Sequence, residues 1–361
     1  MNLHIFNPEH DIALAYDKPR FSVPHAAQEL RMNLGYLPAF WAEPGDYVLV
    51  DDISFALKAA SQYRSLMSDV LFVCKDDLKH LQIDKVLPWG WDKRIAAELK
   101  DNGVDEVLLM TEDNLATVRT LSGRELTSRI LGNIRMGREK ETCGVAEDCK
   151  SVDEVETLLT AHKNIVVKAP WSSSGRGVRY VSLSLDASKS SWIAKTIERQ
   201  GYVMVEPYYN KVCDFAMEFI ATNDGNVKAQ GLSVFHTLKA QYTGNVVASE
   251  EEKRMRLSRY VDLDLLDDIV ASYEAYLPTL IDGKYVGAFG IDMMAVADKD
   301  SGKLLLHPCV ELNLRRTMGH VALALSKKEM PFASMMSIVH KSNYQFCIER
   351  IEGKFVNVIY R

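Results

Sequence analysis

The chain has 361 residues, 47% of them apolar and 25% charged, which gives material for two or three domains with substantial cores and excludes dominant disorder. A net charge of −6 argues against a protein whose main work is coating nucleic acid or an anionic membrane. The opening MNLHIFNPEHDIALAY has no basic stretch followed by an apolar core, and no run of about 18 apolar residues occurs, so a cytoplasmic protein is expected.

Four apolar runs come first: LHIF at 3–6, YVLVDD at 47–52, DVLFVC at 69–74 and EVLLM at 106–110. Helical stretches such as ISFALKAASQYRSLM and WDKRIAAELKDNG separate them, and this βα alternation predicts a mostly parallel sheet covered by helices. LPWGWD at 87–92 reads as a loop where such a sheet presents ligand contacts. From 111 to 160 the pattern turns helical, and then short runs around Val166, Val181, Val203, Phe215 and Val227, with turns such as NDGN at 223–226, predict antiparallel sheet. After a helix near 261–280, GAFGIDMMAV and LLLHPCVELNL are joined by ADKDSGK as a hairpin. A helix near 317–327 and a tail of unassigned structure close the chain. The cysteines, Cys74, Cys143, Cys149, Cys213, Cys309 and Cys347, form no C-x-x-C pair, which argues against a zinc ribbon or disulfide framework and reads most of them as small buried hydrophobes.

VVKAPWSSSGRGV at 166–178 is the most informative segment. A buried strand ends at Lys168, Pro170 stops its ladder, and a loop follows with hydroxyls on Ser172, Ser173 and Ser174, positive charge on Arg176, and permissive backbone at Gly175 and Gly177. Such a loop can surround a polyphosphate with donors, although by itself it reads equally as a Gly/Ser hairpin turn. Neither G-x-x-x-x-G-K-[ST] nor a dinucleotide fingerprint is present. In HPCVELNLRR, strand alternation puts Glu311, Asn313 and Arg315 on one face. Asp292 on the partner strand can approach Glu311, and two facing acids repel unless a cation lies between them. Hard oxygen ligands of this kind suit Mg²⁺. A solvated face with Glu311 paired to Arg315 or Arg316 is the competing reading.

Taken in order, KAPWSSSGRGV, VMVEPYYNKVCDF and ELNLRR resemble the ATP-grasp superfamily, over residues 111–325. The resemblance implies a Rossmann-like, pre-ATP-grasp α/β domain (1–110) with acceptor-substrate contacts, followed by an α+β ATP-grasp fold of two lobes. The small lobe with the phosphate loop would span 111–205, and the large lobe with the metal site and tail 206–361. It implies ATP and Mg²⁺, with Mn²⁺ as a substitute, and a ligase that activates a carboxylate as an acyl phosphate for an amine or similar nucleophile. Lys168 would contact the phosphates under the loop from Ser172 to Gly177. Glu206, with Pro207 and Tyr208 behind it, would sit where adenine binds, and Asp214 would face the ribose. Asp292, Glu311 and Asn313 would hold the metal, and Arg315, with Arg316 as its substitute, would bind phosphate or intermediate. Arg124 is the nearest match to a basic residue on the preceding helical segment, with Arg119 and Arg129 as alternatives.

In FNPEHD at 6–11, Asn7, Glu9, His10 and Asp11 follow the first strand as candidate substrate contacts, or as a helix start capped by Asn7. His25, His236, Tyr242 and Trp89 are further candidates, each more often a packing residue. Expected partners are small-molecule or peptide carboxylates and amines, with no nucleic acid and no membrane, and oligomeric assembly left open. A small-molecule kinase and a nucleotide-binding protein without turnover are the other two functional classes to separate from a ligase.

Overall fold

Parallel strands β1 (Asn2–Ile5), β2 (Tyr47–Leu49), β3 (Leu71–Val73) and β4 (Lys85–Pro88) form the first sheet, in the order β3-β2-β1-β4. The computed structural model describes residues 1–172, 177–238, 241–299, 301–328, 330 and 332–351. The parallel sheet is as expected, but its fourth strand is KVLP and not EVLLM. Asp105 caps a short 3-10 turn over Glu106–Leu108 by accepting from Val107 N, Val107 is 81% exposed, and Leu108, Leu109 and Met110 pack half-buried against the core without joining the sheet. Asp52 and Asp92 cap the helices Ile53–Ala60 and Lys93–Asp101 that cover the sheet.

The small lobe is an antiparallel sheet of β5 (Glu147–Cys149), β6 (Asn164–Lys168), β7 (Val178–Ser182) and β8 (Val203–Pro207), in the order β5-β8-β6-β7. Ile165 and Val167 of β6 and Val203 and Val205 of β8 face Val155 and Leu159 of one helix and Ile193 of another, making a separate apolar core. Ser151 and Asp186 cap those helices, Val152–His162 and Ala187–Gln200.

The large lobe is an antiparallel sheet of β9 (Lys211–Ala221), β10 (Val227–Leu238), β11 (Gln241–Val247), β12 (Gly287–Ala297), β13 (Leu304–Asn313), β14 (Ser334–His340) and β15 (Tyr344–Arg350). Their order is β13-β12-β9-β10-β11-β14-β15. Two expectations change here. The tail after the helix Met318–Ser326 forms β14 and β15, whose Phe346 packs with Phe40 of the N-terminal domain. The helices Glu112–Leu121 and Glu125–Ile134, expected in the small lobe, pack on the large-lobe core through Val118, Ile130 and Ile134. No described helix is long and apolar enough to cross a membrane.

Candidate functional site

The N-terminal domain and both lobes enclose a cleft of about 430 Å³. Lys168, at the end of β6, lines it, because β-alternation turns the side chain away from the core that Val167 fills. Its ammonium donates to both carboxylate oxygens of Glu206 at 2.6 and 2.7 Å, and both groups are buried. Pro207, Tyr208 and Tyr180 also line this end, the two tyrosines edge to face at 5.9 Å. Asp214 accepts from Thr237 Oγ1 at 2.6 Å and pairs with Lys211.

Gly177 closes the base of the Ser/Gly-rich loop. A Cβ there would come within 2.2 Å of Ser172 Oγ, while Ala169 N donates to Gly177 O at 2.8 Å. Only glycine permits that approach. Ser173, Ser174, Gly175 and Arg176 lie outside the described residues.

The β12–β13 hairpin sets Asp292 directly opposite Glu311, and Asn313 opposite Gly290. All three oxygen-bearing side chains line the cleft. Burial and the facing Glu311 carboxylate push Asp292 up to about 7. This all-oxygen donor set, with two acids crowded together, fits a hard divalent cation. Two of the three are also tied to a basic group: Glu311 Oε1 accepts from Arg124 Nη2 at 2.6 Å, and Asn313 Oδ1 from Arg315 Nη2 at 3.0 Å.

Of Arg119, Arg124 and Arg129, Arg124 is the one that lines the cleft. It also donates to Ala169 O and, at 3.0 Å, to Ser172 Oγ. Burial lowers its pKa, but the Glu311 charge outweighs that and the net shift is upward. The alternatives lie elsewhere: Arg119 donates to Leu14 O and stacks on Trp171, and Arg129 is exposed. Arg315 lines the cleft and grips Asp11 with two bonds of 2.9 Å. Arg316, expected as its substitute, is a correction: its guanidinium lies over Trp41 at 4.6 Å and does not line the cleft. Burial lowers its pKa to about 10.

Asn7, Glu9 and His10 also depart from expectation, since none lines the main cleft. Asn7 donates to Gly90 O at 2.8 Å and caps nothing, because the helix His10–Tyr16 starts without a side-chain cap. Glu9 holds Arg31 and Arg94, and His10 Nδ1 lies 3.0 Å from Asp92. The segment sends Pro8 and Asp11 into the cleft instead. Trp89 and Tyr242 line the cleft, whereas His25 and His236 do not.

Sequence reasoning missed Glu218. It shares a face of β9 with Asp214 and Ala216, opposite Gly290, and stands about 13 Å along the strand from Asp214. Burial pushes its carboxyl up to about 8, so it holds a proton at neutral pH. Oε1 accepts from Thr317 Oγ1 at 2.8 Å, and Oε2 faces His320 Nδ1 at 3.0 Å. That nitrogen accepts from Thr317 N, so it has no proton to give Glu218, whose Oε2 is left without a hydrogen-bond partner. The period-2 spacing of DFAME was the available signal.

No protein-family model matches the chain, and no curated protein matches it in sequence. A biotin carboxylase–beta-gamma-ATP complex from Campylobacter jejuni superimposes with a TM-score of 0.50 at 11% identity, covering 93% of this chain and 75% of that one. The chain has the ATP-grasp fold. Two further structures are similar at lower scores. The ADP-bound N5-carboxyaminoimidazole synthetase from Staphylococcus aureus has 12% identity, 94% and 82% coverage and a TM-score of 0.46. The biotin carboxylase domain of Hydrogenobacter thermophilus 2-oxoglutarate carboxylase, with MgADP, ADP and bicarbonate, has 12% identity, 93% and 74% coverage and a TM-score of 0.47. In ATP-grasp terms the cleft runs from the β6–β8 wall of the small lobe to the β9–β13 face of the large lobe, with the N-terminal domain over its far end.

Proposed function

We propose that the protein is a Mg-ATP-dependent ligase that activates a carboxylate as an acyl phosphate for attack by an amine or similar nucleophile. One observation carries this reading: Lys168, Arg124 and Arg315 meet the Asp292–Glu311–Asn313 oxygen set in a single cleft. The ATP-grasp fold, seen in a nucleotide-bound carboxylase, supports ATP as the phosphoryl donor.

A substrate carboxylate oxygen attacks the γ-phosphorus, the bond to the β-phosphate oxygen breaks, and ADP leaves. The nucleophile's nitrogen then attacks the acyl carbon, the C–O bond to phosphate breaks, and the nitrogen's proton passes to solvent. A divalent ion on Asp292, Glu311 and Asn313 would neutralise charge on the triphosphate. Arg124 and Arg315 are held on Glu311 and Asn313 in this structure, so they stand ready to turn to phosphate oxygens when those ligands take a cation. Lys168 stays beside the phosphates, held by Glu206, and no protein nucleophile is required. The cleft wall made by Phe6, Pro8 and Trp89 gives the N-terminal domain the acceptor end.

A screen of amino acids, short peptides and small metabolites for acceptor-dependent ADP release tests this, with hydroxylamine added to trap the intermediate. A hydroxamate formed together with ADP and phosphate supports the ligase. A stable phosphorylated product would replace it with a kinase, and nucleotide binding without turnover on any acceptor would replace it with a sensor.

A further inference from the structure

Behind the metal end of the cleft, the N-terminal domain holds a histidine in one fixed orientation. Asp92 Oδ2 lies 3.0 Å from His10 Nδ1 and accepts from Asn7 Nδ2 at 3.2 Å, while Oδ1 accepts from Ile95 N at 2.9 Å. With a carboxylate on that side, the hydrogen-bond network assigns the proton to Nδ1 and leaves a lone pair on Nε2. Gly90 lies against the ring, where a Cβ would stand 2.5 Å from Cγ, so the ring is clamped by the backbone on one side and by Asp92 on another. Nε2 is buried without a hydrogen-bond partner, and the residue is 1% exposed. An orphan acceptor at this depth is costly unless something donates to it.

His10 borders a second, small cavity of about 10 Å³, which it shares with Asp11, Ser172, Glu311 and Asn313. That is room for one water molecule. Asp92 occupies the Nδ1 side of the ring and is not part of the cavity wall, which leaves Nε2 as the ring nitrogen free to serve this cavity. Glu311 and Asn313 wall both this cavity and the main cleft.

We propose that His10 is a positioning residue for the divalent ion: a water in the small cavity donates one hydrogen to Nε2 and the other to the Glu311 carboxylate, fixing that ligand's orientation. The inference rests on the metal-site reading given above. Ligating carboxylates need such outer partners, and losing one typically costs about 10- to 100-fold in metal affinity. It also gives a purpose to the bonds among Asn7, Gly90 and Asp92, which otherwise immobilise a ring that touches no ligand.

The test titrates Mn²⁺ into the full-length protein with a non-hydrolysable ATP analogue and counts free ion by EPR. His10→Asn keeps a donor for Asp92 but is too short to reach the cavity; His10→Gln reaches it. The expected result is Mn²⁺ affinity weakened about 10- to 100-fold in His10→Asn and within about 3-fold of wild type in His10→Gln. Wild-type affinity in His10→Asn, or an equal loss in both variants, would overturn the inference alone. No Mn²⁺ uptake by the wild type would remove the metal site and this inference together. Should His10→Asn not fold, imidazole ¹⁵N spectra of the wild type decide: Mg²⁺ must shift the His10 Nε2 resonance, and an unmoved resonance would overturn the proposal.

Discussion

The ends of β1 and β13 meet across the cleft, and they use their side chains in opposite ways. Within β13 alternation delivers Glu311 and Asn313 to one face, and Arg315 joins them in the cleft from the bend that follows, where its N donates to Asn313 O. After β1 the chain turns within four residues into a helix, and Asn7, Glu9 and His10 go inward to Asp92, Gly90, Arg31 and Arg94, leaving Phe6, Pro8 and Asp11 for the cleft. Two segments equally rich in chemistry therefore divide the work: one lines the cleft with polar side chains, and the other braces it through Asp11–Arg315. Polarity alone does not separate a binding segment from a bracing one; the backbone period does.

The largest effect that sharpens this contrast is on the presenting side. Lys168→Met strands a buried Glu206 carboxylate and should cost about 3–5 kcal/mol of unfolding free energy, most of it recovered in the Lys168→Met/Glu206→Gln double variant. Denaturant unfolding of the two singles and the double measures the coupling; additive losses would contradict it.

Glu218 gives the next effect, in pH. Its carboxyl keeps a proton in the fold up to about 8, while the unfolded chain releases it near the ordinary glutamate value of 4.5. The folded state thus binds more protons across that window, so its contribution is whole below the unfolded pKa and falls by a few kcal/mol as pH rises toward 8. Glu218→Gln should flatten this part of the stability profile, and an unchanged slope would assign the titration elsewhere.

A smaller effect should come from the bracing side. Glu9→Gln weakens the bonds to Arg31 and Arg94 and should lower stability by about 2–3 kcal/mol with ATP affinity held within about 2-fold. A selective loss of ATP affinity at unchanged stability would return Glu9 to the binding surface. Least of all, Arg129→Ala on an exposed helix face should leave both properties unchanged, whereas Arg124→Ala should weaken Mg-ATP binding.

Much of the fold was legible because periods announce elements. The early βα alternation and the ADKDSGK hairpin gave the parallel sheet and the β12–β13 register that places Asp292 on Glu311. KVLP was hidden by its proline and by exposed Lys85 and Leu87, and EVLLM misled because apolar residues in a capped turn look like a strand. The site was legible where side chains alternate on one strand and silent where partners are far apart. Nothing local links Asp11 to Arg315, 304 positions away, or chooses Arg124 over Arg119 and Arg129, since that choice depends on how a helix packs against β13.

The most direct test of the central claim, that one cleft neutralises a triphosphate with Lys168, Arg124, Arg315 and a cation on Asp292, Glu311 and Asn313, is calorimetric titration of ATP with and without Mg²⁺. The account predicts that Mg²⁺ tightens binding at least about 10-fold in the wild type and not at all in Asp292→Asn/Glu311→Gln, given what such ligands contribute. Equal affinity with and without Mg²⁺ in the wild type, or an undiminished Mg²⁺ effect in the double variant, would contradict it.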